Sequence, residues 1–163
     1  MILTMRTVIF LIVILVTASF TMKKEVPVVD FNGLKPILDQ RNDTTYIVNF
    51  WATWCMPCVK ELPAFEQVHT SFGSHKVRVI LVSLDFPKQL HSRLIPFIEE
   101  KDLRSDVILL NDPRSNSWID KVNKEWSGAI PATVIYNKNH YVFFEQPLNY
   151  QQLEEIVNKI IIN

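Results

Sequence analysis

Phe50-Trp51-Ala52-Thr53-Trp54-Cys55-Met56-Pro57-Cys58-Val59-Lys60-Glu61-Leu62-Pro63 is the stretch whose reading decides the fold, and it carries both cysteines of the chain. Ahead of it, Tyr46-Ile47-Val48-Asn49-Phe50 is β-rich and largely apolar, which predicts a strand buried on both faces. Behind it, Val59, Leu62, Phe65 and Val68 recur at helical spacing, so the strand is expected to feed a helix. Pro57 suits the first helical turn, where its missing N–H has no partner to lose. A thiol at that junction meets unpaired N–H groups and the positive end of the helix dipole, and both favour thiolate. Cys55 is therefore expected at the exposed mouth as the attacking sulfur. Cys58, three residues on along the same face, is placed to close a disulfide onto it. The spacing suits a reversible dithiol/disulfide couple that works by thiolate attack through a mixed disulfide.

Other uses of a C-x-x-C pair fit less well. A four-cysteine zinc site needs a second pair that the sequence lacks. A site of two cysteines and two histidines is arithmetically open with His69, His75, His91 and His140, but none of these lies at the close spacing usual for such ligands. A permanent staple is a poor fit, since so short a loop closes little chain and stabilises little. The redox reading is favoured, with no metal and no cofactor called for.

The run from Phe50 to Pro63 resembles the active-site signature of the thioredoxin superfamily. More narrowly, it resembles the extracytoplasmic TlpA/ResA-like thiol–disulfide oxidoreductases, whose pattern is close to F-W-A-T-W-C-x-P-C-x-x-E-x-P. Every specified position is matched. The resemblance implies an α/β thioredoxin fold, a central mixed β-sheet flanked by helices, with an inserted helix–strand unit in the middle of the domain. It implies that Glu61 lies near the cysteine pair and tunes it, whereas by itself this residue reads as an ordinary solvated helix glutamate. It also implies that Ile130-Pro131 is joined by a cis bond facing the cysteines. Ile130 would then offer its backbone to a substrate peptide in the manner of an added strand. Asn49 stands where ordinary thioredoxins carry a buried acid. An asparagine cannot take the Cys58 proton, so that role falls to Glu61 or to water.

Outward from the signature, the composition describes one globular domain: 163 residues, 48% hydrophobic, with seventeen charges of each sign. Balanced charge without a basic cluster argues against nucleic acid as a partner. Arg6 and the apolar run Val8–Val16 predict a signal peptide or N-terminal membrane anchor over residues 1–18, with Val16-Thr17-Ala18 as small residues before a cut at Ser19. The domain proper is expected over residues 19–163. In an exported protein with a single cysteine pair, that pair reads as a working couple.

Along the rest of the chain, Pro27-Val28-Val29 reads as an edge strand. Asp30 is the candidate cap of a helix through Leu34, Ile37 and Leu38. Val77–Ser83 and Val107–Leu110 read as strands, and Leu90, Leu94, Ile95 and Ile98 as one amphipathic helix between them. Thr133-Val134-Ile135-Tyr136 and Tyr141–Glu145 pair as a hairpin across Asn137–His140. Leu153, Ile156, Val157, Ile160 and Ile161 form the stripe of a closing helix. Trp54, beside Cys55, is expected as an apolar rim that contacts substrate together with Ile130 and Pro131. Met56 brings no positive charge to the cysteines, so the couple should be moderately reducing.

The expected function is reduction of disulfides in extracytoplasmic proteins, most naturally in a periplasm, by a monomer. Cys55 attacks, Cys58 resolves and Glu61 moves the proton. The resemblance further implies recharging by a membrane dithiol reductant and apocytochrome c as a client type. Two alternatives stand beside this: an oxidase or isomerase of the same fold, and a non-catalytic thiol module that binds copper or zinc.

Overall fold

The computed structural model describes residues 25–162. The expected signal peptide or anchor over residues 1–18 lies outside the described residues. No helix among the described residues is long and apolar enough to cross a membrane.

Strand β1 (Val28–Val29) is followed by α1 (Phe31–Leu38), β2 (Thr45–Trp51) and α2 (Met56–Phe72). Next come β3 (Val77–Ser83), α3 (Ile95–Glu100), β4 (Asp106–Leu110) and α4 (Ile119–Val122). The hairpin β5 (Ala132–Tyr136) and β6 (Tyr141–Phe144) leads into α5 (Tyr150–Ile162). The strands form one mixed sheet in the order β1-β4-β3-β2-β5-β6. β1, β4, β3 and β2 run parallel, β5 runs antiparallel to β2, and β6 is antiparallel to β5 and so points the same way as the other four. The inserted helix–strand unit is α3 with β4, which places a strand between β3 and β1.

β2 is central and buried at every residue, as its largely apolar run predicts. Its alternation divides the core. Ile47 and Trp51 pack with α2 and α5 on one face, and Tyr46, Val48 and Phe50 pack with α1, Trp118 and Trp126 on the other. Helix α1 begins where expected, because the Asp30 side chain accepts the Gly33 N–H at 3.0 Å, a cap that typically contributes about 1 kcal/mol.

Two expectations need correction. The segment from Leu90 to Glu100 is not one α-helix: Leu90–Leu94 is a π-turn and only Ile95–Glu100 is α-helical. Pro96 is the physical cause. It has no N–H for the carbonyl four residues back and its ring crowds that carbonyl, so the turn widens and Ile95 N–H bonds Leu90 O instead. The stripe of α5 is also narrower than its sequence: Leu153, Val157 and Ile160 are buried, whereas Ile161 is 41% exposed. Pro63 sits inside α2, which nonetheless runs on to Phe72.

Candidate active site

The cysteines sit where the central strand turns into its helix. β2 ends at Trp51, and Leu84 N–H, just past the parallel neighbour β3, donates to Trp51 O at 2.8 Å. Beyond that point the buried Asp85 takes over. Its carboxylate accepts the Thr53 N–H at 3.0 Å, the Thr53 hydroxyl, and the Ser83 hydroxyl at 2.8 Å. The loop that presents Cys55 is thereby tied to the neighbouring strand by side-chain bonds.

Cys55 and Cys58 are joined as a disulfide. Cys55 caps α2, its Sγ accepting the Cys58 N–H at 3.3 Å. A thiolate at the same place would take the same donor at the positive end of the helix. Cys55 is 6% exposed and Cys58 is wholly buried. Around the disulfide, Trp54 and Met56 are exposed, as is Phe86 beyond β3, whereas Trp51 belongs to the core.

The Ile130–Pro131 bond is cis, as the resemblance implies, and the Ile130 carbonyl oxygen lies 3.7 Å from Cys55 Sγ. The residues before it are fastened by groups that sequence reasoning missed. Glu145, at the end of β6, accepts the Ala129 N–H at 3.0 Å, the Ser127 N–H at 3.1 Å and the Ser127 hydroxyl. The Ser127 hydroxyl bond holds the Glu145 carboxyl below the usual range. Trp126 donates its indole N–H to Ala129 O at 2.8 Å. Between them Gly128 has φ +93°, which only glycine adopts without strain.

Glu61 is not a solvated helix residue. It lies on the buried face of α2 with Cys58, Leu62, Phe65 and Val68, and is only 5% exposed. Its Oε1 accepts an N–H of Asn49 at 2.8 Å and its Oε2 accepts the Leu148 N–H at 2.8 Å. Burial pushes the carboxyl up to about 7, against the pull of these two donors. A cleft of about 550 Å³ opens beside it, lined by Pro57, Lys60, Leu148 and Tyr150 among others. The structure thus brings Ile130 and the cis Pro131 against the Cys55–Cys58 disulfide, with Trp54 exposed beside Cys55 and Glu61 on the same helical face as Cys58.

Of the four histidines, His69, His91 and His140 are half-buried or exposed, and no cluster of three or more His, Cys, Asp or Glu side chains able to hold a metal occurs among the described residues. Asp85 and Glu145 could have been flagged only by knowing which strands pair, since neither lies near the signature in sequence.

The AhpC/TSA family model matches residues 18–144, and the chain belongs to that family. The chain is similar to the thioredoxin-like protein YneN of Bacillus subtilis, 28% identical over 48% of this chain and 45% of that protein. It is also similar to the thiol-disulfide oxidoreductase ResA of Geobacillus kaustophilus, 26% identical over 84% of this chain and 82% of that one. With several curated relatives the match spans half or less of their length. Among solved structures, a thioredoxin-family thiol:disulfide interchange protein of Chlorobium tepidum superposes with a TM-score of 0.62 at 19% identity, over 78% of this chain and 84% of that one. The fold is the thioredoxin fold.

Proposed function

We propose that this member of the AhpC/TSA family is an exported thiol–disulfide oxidoreductase that reduces disulfides in client proteins. The observation that carries the reading is the placing of the pair: Cys55, 6% exposed, caps α2 with its sulfur, while Cys58 lies inside the first turn, wholly buried and on the same helical face as Glu61. A reduced Cys55 thiolate attacks one sulfur of a client disulfide, forming a mixed disulfide and releasing the other client sulfur as thiolate. Cys58 then gives its proton to the Glu61 carboxylate and attacks Cys55 Sγ. The Cys55–Cys58 bond forms, and the second client sulfur leaves and is protonated, with Glu61 or water as the source. Two electrons pass from the protein dithiol to the client.

Trp54 offers a flat apolar rim, and the Ile130 backbone beside Pro131 pairs with the client chain as an added strand. The names of the relatives as thiol-disulfide oxidoreductases support the activity. The apolar run Val8–Val16 supports export to an extracytoplasmic, periplasmic space, by a cleaved signal peptide or a retained anchor. Recharging by a membrane dithiol reductant, and apocytochrome c as client, rest on the resemblance alone.

The test has two arms. The Cys58→Ser variant should accumulate mixed disulfides with clients, and Cys55→Ser should accumulate none. The reduction potential of the couple gives the direction: near the roughly −270 mV of thioredoxin or below it the protein is a reductant, whereas a value near roughly −120 mV would make it an oxidant and reverse the proposal.

A further inference from the structure

Asn49 is an oddity of the core. It stands in the middle of β2 with no solvent exposure, flanked on its face of the sheet by apolar Ile47 and Trp51. Its cross-strand partner in the β2–β5 register is Thr133, two residues beyond Pro131. The Asn49 amide nitrogen spends its two hydrogens on Thr133 Oγ1 at 3.0 Å and Glu61 Oε1 at 2.8 Å. Its carbonyl oxygen, Oδ1, is buried with no donor among the described residues. Packing alone would be served better by an apolar side chain, which leaves no acceptor stranded.

The orientation of the amide has a cause. A threonine hydroxyl accepts or donates equally well, so Thr133 does not select one end of the amide. An ionised carboxylate only accepts, so Glu61 does. The stranded acceptor is the consequence of turning both N–H groups toward Thr133 and Glu61. We propose that Asn49, braced by Thr133, is a positioning residue for the thiol–disulfide reaction, aiming an N–H at Glu61 so that the carboxylate is held ready for the Cys58 proton. This rests on the reading of Glu61 as the proton acceptor. Asn49 and Leu148 occupy one oxygen each, and the cleft lined by Glu61 is the side from which the proton can leave for solvent. The titratable groups that line the cleft with Glu61 are Lys60 on its own helix and Tyr150 from α5, and Cys58 shares its buried helical face. β2 and β5 present the neutral Asn49 and Thr133, and the segment before α5 presents Leu148 N–H.

The experiment follows disulfide formation in the reduced full chain on mixing with oxidised glutathione, by tryptophan fluorescence, across the neutral pH range. Asn49→Leu removes one of the two donors to the carboxylate, and the midpoint of the rate profile should move up by about one pH unit. Thr133→Val leaves the Asn49 N–H unbraced, and should move it the same way by less. Both shifts should vanish in a Glu61→Gln background. Asn49→Asp places a second carboxylate there, and the profile should split into two steps. A folded Asn49→Leu protein with an unchanged midpoint overturns the proposal; if that variant does not fold, Thr133→Val decides by the same criterion. The two levels separate cleanly. If Glu61→Gln keeps the wild-type profile, the reading of Glu61 fails. If Glu61→Gln changes the profile and Asn49→Leu does not, only the role of Asn49 fails.

Discussion

Replacing Glu61 by glutamine should change how stability depends on pH, and the sign is unusual for a carboxyl group. The folded carboxyl is pushed by burial from 4.5 up to about 7. Between those values the folded protein keeps a proton that the unfolded chain has released, so stability falls as pH rises through that window. A gap of about 2.5 pH units at ~1.4 kcal/mol per unit amounts to about 3 kcal/mol, a large share of a typical total of about 5–15 kcal/mol. Glutamine does not titrate, so the variant lacks this slope. It retains an acceptor for the Asn49 N–H but turns its own amide toward the Leu148 N–H, which forfeits a hydrogen bond worth about 1–3 kcal/mol. The variant should therefore be the less stable protein near pH 4 and draw level with or overtake the wild type near pH 8, the difference changing by about 3 kcal/mol. Urea unfolding of the oxidised proteins at a series of pH values, followed by tryptophan fluorescence at constant m-value, measures this directly. If the two stability curves run parallel from pH 4.5 to 7, the buried-proton argument is wrong.

Asp85→Asn turns an amide toward three donors that now meet a carboxylate, and should cost about 2 kcal/mol by chemical unfolding. Glu145→Gln loosens the Ser127–Ala129 segment ahead of Ile130 at a half-buried position outside the core, so stability should change by less than about 1 kcal/mol. Disulfide reductase kcat/KM should nonetheless drop several-fold, and an unchanged value would mean that this segment needs no fastening. On α5, Leu153→Ala should cost about 2–5 kcal/mol, whereas Ile161→Lys should stay within about 0.5 kcal/mol. A thermal melt of each separates the buried stripe from the apparent one.

The cysteine couple was legible in the sequence because everything that defines it is local. An apolar run, a C-x-x-C pair, a proline at the first turn and a helical repeat lie within a few turns of chain, and each has a direct geometric meaning. The strands were equally legible, since a buried strand announces itself by a short continuous apolar run rich in β-branched residues, as in Val79-Ile80-Leu81-Val82 of β3. What escaped was set by neighbours. The π-turn at Leu90–Leu94 follows from Pro96, whose effect on the preceding turn an apolar repeat does not express. The exposure of Ile161 depends on where the core ends, which a periodic pattern cannot express.

Glu61 shows the same boundary within one residue. Its place on the helix was readable, and so was its membership of the face that carries Cys58. Its burial was not, because the groups that shield and bind it come from elsewhere: Asn49 from 12 residues earlier and Leu148 from 87 residues later. Asp85, which holds the loop before Cys55 from 32 residues away, is of the same kind. A helix start can place a sulfur beside N–H donors by itself. It cannot exclude water from a carboxyl group or pin a loop, for those need a second and third layer of chain. The motif therefore specifies the pair and its place at the helix start, while the surroundings of Glu61 are set by residues that only the closed sheet brings to it.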